Sequence, residues 1–260
     1  MYPFLYLGNF KLPMYGVMIA TGILVAFLFA IWDCKRKELK SEYMLAIIAP
    51  ALLFGMLGAK IFYLVITYTS AEFMYILKNG DFEQIISSGY VFYGGFIIGI
   101  STAIGMSKIL KCKFTDYENV LVKCIPLAYA FGRIGCFCAG CCYGMPTESI
   151  LGIPFEQPLG SAPVDVPLYP IQLYECAFNF VLTIFLWILD VKYPRNKFLV
   201  PVYLVIYSIE RFIFEFYRFD VERGMWMGWS TSQWISVVVF VVGIIYFCQN
   251  KKKVSDGSIY

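Results

Sequence analysis

The chain has 260 residues, of which 60% are hydrophobic, 19% are aromatic and only 15% are charged. Soluble domains carry about 25% charged residues, so this composition, with a mean hydropathy of +0.68, excludes an ordinary soluble protein and indicates an integral membrane protein. The net charge of +3 comes with no basic stripe of interleaved aromatic residues, so we expect no nucleic-acid partner. Histidine is absent, which excludes it as a general base, a metal ligand or a member of a catalytic triad.

Seven apolar stretches, each near the 20 residues that cross the hydrocarbon core, predict an all-α integral membrane protein with seven transmembrane helices. We expect residues 1–250 to form a single transmembrane domain and residues 251–260 a basic cytoplasmic tail. The segment 137–169 contains five prolines and predicts an irregular extracytoplasmic cap. The segment 67–90 predicts an interfacial helix or arm. The predicted spans are 14–32, 44–66, 91–109, 118–136, 170–190, 198–216 and 230–248.

The segments that connect these spans differ in their number of basic residues. Thirteen lysines and arginines lie in the four segments predicted on one side of the membrane, and four lie in the segments on the other side. The positive-inside rule therefore puts the amino terminus outside and the carboxyl terminus in the cytoplasm. We expect a multi-pass membrane protein surrounded by membrane lipids. The basic segments are 33–43, 107–117, 190–197 and 249–260.

Tyrosine–glycine runs lie at the predicted outer ends of two spans. Tyr15 precedes Gly16 at the start of the first span, and Tyr93 precedes Gly94 and Gly95 in the third span. Paired glycines usually mark close packing of helices, and that interpretation stays open beside a role in binding a ligand.

The stretch 128–144 begins as an apolar helix in the fourth span and ends as a glycine-rich bend that includes Gly140. Its single formal charge is Arg133. An arginine within a span costs about 2.5 to 3.5 kcal/mol on insertion scales, so it normally faces the protein interior and has a partner. A guanidinium suits a phosphate because it is always charged and offers a planar fork of donors, and glycines let the backbone approach a ligand. A structural arginine that satisfies carbonyls at a helix end is the alternative.

Four cysteines fall within seven residues of the same bend. Four thiolates could bind zinc or exchange disulfides, which makes an outward-facing membrane thiol/disulfide oxidoreductase an alternative function. The spacing is not the usual pair of CxxC motifs, and so tight a run can hardly wrap a tetrahedral ion alone, so we expect no metal site and no organic cofactor. Packing of small, soft side chains in a tight loop is the third interpretation. The four residues are Cys136, Cys138, Cys141 and Cys142.

The fifth span opens with polar groups directly after Pro170, a residue that fits a helix start. Gln172, Tyr174 and Glu175 lie in its first turn. They are candidates for binding a ligand at the outer face. An interfacial aromatic belt, with a carboxylate that the helix dipole favours, is the alternative.

Three charged residues recur along the sixth span at i, i+4 and i+7, which predicts one helical face. Arg211, Glu215 and Arg218 would form a charged column toward the bundle interior. Such a column would supply half of an anion site, with Glu215 orienting one guanidinium while the other binds a ligand. A structural salt-bridge column that ties this helix to its neighbours is the alternative.

Together, three motifs resemble those of the prolipoprotein diacylglyceryl transferase family. They are Gly-Arg-Ile-Gly-Cys-Phe at 132–137, the run 169–175 and Arg-x-x-x-Glu-Phe-x-Arg at 211–218, and the resemblance covers nearly the whole chain. This family transfers the diacylglyceryl group of phosphatidylglycerol to the thiol of a lipobox cysteine in a secreted preprotein, and glycerol phosphate is released. The resemblance implies a transferase of the bacterial cytoplasmic (inner) membrane, with residues 1–250 as its catalytic domain. Its partners would be phosphatidylglycerol and a secreted prolipoprotein lipobox peptide.

The resemblance also implies the site residues. Arg133 and Arg211 become the essential phosphate-side residues. Tyr93 departs from the family pattern, and we expect it on chemical grounds to be a hydrogen-bond donor or proton relay. Substrate binding is expected of Arg133, Tyr15, Gln172, Tyr174, Glu175, Glu215, Arg218, Gly94, Gly95 and Gly140.

The chain departs from the family pattern at three places. Tyr93-Gly94-Gly95 stands where well-studied members have His-Gly-Gly, and Cys136 to Cys141 stand where they have Asn-Phe-x-Asn-Gly-Glu. Tyr169-Pro170 opens the helix that often starts with His-Pro. A thiol with a pKa near 8.5 ionises beside arginines without a strong base, and the thiolate is the nucleophile. The leaving glycerol phosphate needs charge stabilisation, an effect worth about 3 to 4 kcal/mol per donor. A member that acts on a different acceptor, or that has lost activity, is the alternative.

Overall fold

The computed structural model describes residues 3–8, 10–79, 85, 89, 91–193, 197–219 and 224–255. The chain divides into two compact units, one formed by residues 1–29 with 118–260 and the other by residues 30–117. The elements of the described part are β1 (Phe4–Leu7), β2 (Phe10–Pro13), α1 (Met14–Arg36), α2 (Ser41–Thr67), α3 (Ser70–Asn79), α4 (Phe92–Ile109), α5 (Phe114–Ala139), α6 (Ile171–Lys192), α7 (Leu199–Glu215), β3 (Met225–Trp226), β4 (Trp229–Ser230) and α8 (Thr231–Ser255).

Helices occupy all seven apolar stretches, with ends within a few residues of the predicted ones except in α8, which continues beyond 248 to Ser255. Five of them, α1, α2, α5, α6 and α8, are long and apolar enough to cross a membrane, which indicates a multi-pass membrane protein. In α4, the apolar stretch Gly94–Ile109 is shorter than each of these five helices. The α7 helix has 17 residues and carries Glu210, Arg211 and Glu215. The expected number of seven spans therefore stays a prediction for α4 and α7.

Two short antiparallel hairpins accompany the helices, and the sequence did not predict them. β1 pairs with β2, and β3 pairs with β4 so that Met225 lies opposite Ser230. Met227 and Gly228 join β3 to β4 with φ of 50° and 79°. Positive φ at both central residues matches the twist of a two-residue hairpin. Strands of two to four residues are too short to leave an alternating pattern in an apolar sequence.

The first unit is centred on α5, α6 and α7. Their apolar faces share a buried cluster, and α1 joins α5 where Gly22 lies against Phe131, because a Cβ at Gly22 would lie 2.7 Å from the Phe131 Cβ. Charge is buried here too: Lys123 of α5 forms an ion pair with Asp190 of α6, and both side chains are fully buried. The cluster consists of Val122, Leu182, Leu186, Leu199 and Tyr203.

Residues 140–170, which we call the loop segment, run irregularly from α5 to α6, as the prolines predicted. Isolated β-bridges hold it together, and Leu168 pairs with both Pro146 and Ile153. Phe155 and Leu168 are fully buried in a small core of the segment. The loop segment is therefore a packed element beside the start of α6. Its place on the outer side of a membrane stays a prediction.

In the second unit, α2 and α4 approach each other through glycines. A Cβ at Gly95 would lie 2.9 Å from the Gly55 carbonyl oxygen, and one at Gly58 would lie 2.9 Å from the Gly94 carbonyl oxygen. A Cβ at Gly94 would lie 2.4 Å from the ring of Phe62. Backbones this close exclude larger side chains, which is how small residues act at helix interfaces in membranes. Close packing, the alternative kept open for Gly94 and Gly95, is therefore what their contacts show.

Candidate active site

Arg133 lies in α5 and is buried, with 6% of its surface exposed. Its Nε and Nη2 donate hydrogen bonds to the hydroxyl of Tyr129, at 2.9 and 2.5 Å. Tyr129 is one helical turn earlier, so the two side chains share one face of α5. The guanidinium also lies 4.9 Å from the centre of the Tyr129 ring, within the range of a cation–π contact.

Glu175 of α6 is the carboxylate on which the two predicted arginines meet. It is fully buried and forms an ion pair with the Nε of Arg133. Its other oxygen lies 3.3 Å from the Nη1 of Arg211 in α7. A buried charge needs a partner in order to remain ionised. Three helices thus bring two guanidinium groups onto one carboxylate.

Arg211 has two further partners. Its Nη2 lies 3.1 Å from a carboxylate oxygen of Glu215, one turn later in α7. The same nitrogen donates to the hydroxyl of Ser232 at the start of α8, at 3.2 Å. Glu215 therefore orients a guanidinium, as its spacing predicted.

The four charges of this cluster balance, since two arginines face two glutamates. A guanidinium has five N–H donors, and the ion pairs use only part of them. Among the described residues, Nη1 of Arg133 and Nε of Arg211 donate to no protein group. The Arg211 side chain keeps 14% of its surface exposed. An anion could thus reach the Arg211 guanidinium, whose orientation Glu175 and Glu215 already fix.

The column predicted along α7 is wrong at Arg218. The helix ends at Glu215, and a tighter turn follows because the Tyr217 amide bonds to the Phe214 carbonyl at 3.1 Å. Arg218 instead lies beside the loop segment, where it forms a β-bridge with Gly144. Pairing with the loop segment redirects the chain after the last turn of α7.

Gln172 and Tyr15 lie close to other predicted site residues. Gln172 is fully buried, and its Nε2 donates to the Cys141 carbonyl at 2.7 Å. Tyr15 packs on α5, since a Cβ at Gly135 would lie 3.1 Å from its ring. One turn of α6 separates Gln172 from Glu175, so α6 contacts the bend and the arginines together.

The other predicted residues differ in their setting. Tyr174 is 37% exposed. Gly140 has φ of +70°, and a Cβ there would lie 2.6 Å from Pro158, so backbone shape and packing account for this glycine. Gly94 and Gly95 belong to the second unit. The backbone of Tyr93 lies in α4, but its side chain is outside the described part of the structure.

Three of the four clustered cysteines come together at the bend. The sulfur atoms of Cys136, Cys141 and Cys142 all lie within 4.8 Å of one another. Hydrogen bonds from Cys136 and Cys141 lower the pKa of the Cys142 thiol, and the guanidinium groups of Arg218 and Arg133 lower it further. Every cysteine of the chain is a free thiol.

Comparison with known proteins decides the family. A family-wide sequence model described as Prolipoprotein diacylglyceryl transferase matches residues 3–249. The chain belongs to this family. A phosphatidylglycerol–prolipoprotein diacylglyceryl transferase of Clostridium tetani is 34% identical over 93% of this chain and 94% of its own length. A protein named phosphatidylglycerol–prolipoprotein diacylglyceryl transferase 2, from Clostridium perfringens, is 36% identical over 94% of this chain and 93% of its own length.

In this diacylglyceryl transferase family member, two residues that contact the site arginines were not predicted from the sequence. Tyr129 binds Arg133, and its position four residues earlier in the same helix could have indicated this. Ser232 binds Arg211 across 21 residues of chain, a distance at which sequence spacing carries no signal.

Proposed function

We propose that this chain transfers the diacylglyceryl group of phosphatidylglycerol to the thiol of a lipobox cysteine in a prolipoprotein and releases glycerol phosphate. The observation that carries the proposal is the meeting of Arg133 and Arg211 on Glu175 in a chain of this family. The names of its relatives describe the same transfer, and they give no support to the thiol/disulfide oxidoreductase alternative.

In the proposed reaction the acceptor thiolate attacks the glycerol carbon that carries the phosphate oxygen. A carbon–sulfur bond forms, the carbon–oxygen bond breaks, and its electron pair stays on the phosphate oxygen. The leaving group is an anion, so it needs donors that gain strength as charge develops. Arg133 and Arg211 supply them through guanidinium edges that Glu175, Glu215 and Tyr129 already orient.

The remaining roles form part of the same proposal. Tyr15, Gln172, Tyr174 and Arg218 line the lipid and peptide site. Tyr93 serves as a hydrogen-bond donor or proton relay. Residues 1–250 act as one catalytic domain of seven spans in the bacterial cytoplasmic membrane. Its amino terminus lies outside, its tail 251–260 lies in the cytoplasm, and the loop segment forms the outer cap over a site open sideways to lipid.

The test is a reconstituted assay with phosphatidylglycerol vesicles and a lipobox peptide, read as the mass gain of one diacylglyceryl group. A peptide with serine in place of the lipobox cysteine is the substrate control. We expect Arg133→Lys to reduce kcat about 100- to 1,000-fold, because lysine cannot give the planar fork of donors. Arg36→Lys, a substitution at the far end of α1, should leave kcat unchanged.

Two results would count against the proposal. Full activity of Arg133→Lys would remove the guanidinium clamp from the mechanism. No mass gain with the wild-type protein, while phosphatidylglycerol is still consumed, would indicate a family member with a different acceptor.

A further inference from the structure

The bend after α5 brings together the thiols of Cys136, Cys141 and Cys142, which are close in sequence. The helix ends at Ala139, and Gly140 and Cys142 both take left-handed backbone conformations, with φ of 70° and 59°. The chain therefore turns back on itself, and the amide of Cys141 bonds to the carbonyl of Cys136 at 3.1 Å. This turn returns the two later thiols to Cys136, which a count of sequence positions could not predict.

Hydrogen bonds hold this bend from both sides. The Ala139 carbonyl accepts bonds from the amides of Leu159 and Gly160, both at 2.9 Å. The Cys141 carbonyl accepts the bond from buried Gln172, and the amide of Gly144 donates to the Tyr169 carbonyl at 3.1 Å. The three thiols are thus placed by fixed backbone, which is what a metal site requires of its ligands.

The spacing of the sulfur atoms suits a soft metal ion. With a zinc–sulfur distance of about 2.3 Å, tetrahedral zinc separates its sulfur ligands by about 3.8 Å. Sulfur atoms that lie within 4.8 Å of one another need to close by about 1 Å or less. Three protein ligands with an open fourth position are the pattern of catalytic zinc, whereas structural zinc uses four.

We propose that Cys136, Cys141 and Cys142 bind Zn²⁺ and that the acceptor cysteine of the substrate takes the fourth position as a thiolate. The inference rests on the proposed function, which requires the acceptor cysteine to be a thiolate. The chain contains no histidine that could act as the base. The metal displaces the proton of the acceptor thiol to solvent. The bound thiolate then forms the carbon–sulfur bond, and the phosphate oxygen leaves with the electron pair.

The position of this three-thiol cluster favours a role in the reaction. Cys136 follows Arg133 by three residues in α5, and Gln172 and Glu175 of α6 contact the bend and the arginine in turn. Three thiolates and one Zn²⁺ leave one negative charge. Two cations are near in the chain or by pairing: Arg133 is one turn before Cys136, and Arg218 forms a β-bridge with Gly144, two residues after Cys142. The acceptor sulfur and the phosphate clamp would therefore lie at neighbouring turns of one site.

Metal content tests the site itself. The wild-type protein, purified in detergent and exposed to ZnCl₂, should hold about one zinc ion per chain after gel filtration. Cys141→Ser and Cys142→Ser should lose it, whereas Cys138→Ser should keep it, because Cys138 lies in the last turn of α5 and outside the cluster. Absence of stoichiometric zinc in the wild type, or unchanged zinc in all three variants, would overturn the proposal.

Activity and spectroscopy test the role of the open position. Removing zinc from the wild type with a chelator should reduce transfer at least about 10-fold, and ZnCl₂ should restore it without any mutation that could impair folding. In the Co²⁺-substituted protein, the thiolate-to-metal absorption should rise when the lipobox peptide is added and should not rise with the serine peptide.

The outcomes separate the two proposals. Full transfer by zinc-free wild type would overturn this inference and leave the proposed function standing. If the Co²⁺ spectrum does not change when the lipobox peptide is added, the acceptor cysteine is not a ligand of the metal. That result would also overturn this inference. A spectrum that responds to the peptide, with no diacylglyceryl transfer, would instead remove the proposed function and keep the site.

Discussion

At the scale of single residues, Glu175 holds the candidate active site together. Two guanidinium groups in a poorly hydrated interior repel each other, and each needs an opposite charge in contact. Glu175 is fully buried and touches both, and Glu215 forms a further ion pair with Arg211. The carboxylate therefore acts as a positioning residue: it fixes where the two arginines present their remaining donors.

Removing this charge should destabilise the protein. Glu175→Gln removes the carboxylate that pairs with both Arg133 and Arg211 and leaves the Glu215 pair with Arg211. Breaking a buried ion pair costs about 3 to 5 kcal/mol of the free energy of unfolding. The melting temperature in detergent should fall clearly. Glu156→Gln, at an exposed site in the loop segment, is the matched control and should melt like the wild type. An unchanged melting temperature for Glu175→Gln would mean that the ion pairs contribute nothing to the fold.

The charged residues of the site could be predicted from sequence because a membrane span makes any charge conspicuous. Arg133, Glu175 and Arg211 stand in apolar surroundings, so each had to face the interior and find a partner. Which partner each one takes depends on how the helices pack, and the sequence does not contain that information. The convergence on Glu175 and the contact between Arg211 and Ser232 are therefore findings of the structure.

At the scale of elements, the close approach of α2 and α4 depends on glycine. Gly95→Ala would place a methyl group 2.9 Å from the Gly55 carbonyl oxygen, a backbone atom that cannot move aside. We expect a loss of about 1 to 3 kcal/mol in the free energy of unfolding, measured by thermal melting in detergent. Gly105→Ala is the control in the same helix, because a Cβ there meets nothing within 4 Å. Equal stability of the two variants would contradict the tight interface.

The buried pair between α5 and α6 gives a second prediction at this scale. Asp190→Leu leaves Lys123 charged and buried, so we expect it to cost about 3 to 5 kcal/mol. The double variant Lys123→Met with Asp190→Leu removes both charges and should recover most of this loss, since apolar replacement of a buried pair is often neutral. Thermal melting of the single and double variants measures the recovery. A double variant as unstable as the single one would show that the pair has a further structural role.

Helix positions were predictable and helix ends were less so. Hydropathy locates long apolar runs such as α2 and α6 because each must satisfy its backbone within the membrane. The end of α7 at Glu215 depends on the pairing of the following residues with the loop segment, as in the bond from the Met145 amide to the Tyr217 carbonyl. Such long-range pairing overrides the local helical pattern that placed Arg218 on the same face.

At the scale of the whole molecule, the number of spans and the side on which each loop lies are linked. Five helices qualify as spans by length and composition, and α4 and α7 would make seven. Both numbers are odd, so the two termini lie on opposite sides in either case. The loop segment differs: with the amino terminus outside, it is outside if α4 crosses the membrane and in the cytoplasm if α4 does not.

The basic residues favour seven spans and give the last prediction. Lys108, Lys111 and Lys113 precede α5, and the positive-inside rule keeps them in the cytoplasm only if α4 crosses. An epitope inserted after Ile150, which is fully exposed in the loop segment, should therefore bind antibody in intact spheroplasts. The same epitope after Lys251 should bind only after permeabilisation, which serves as the control for membrane integrity. An epitope at Ile150 that also requires permeabilisation would exclude α4 as a span, and with it an outward-facing site built on the loop segment.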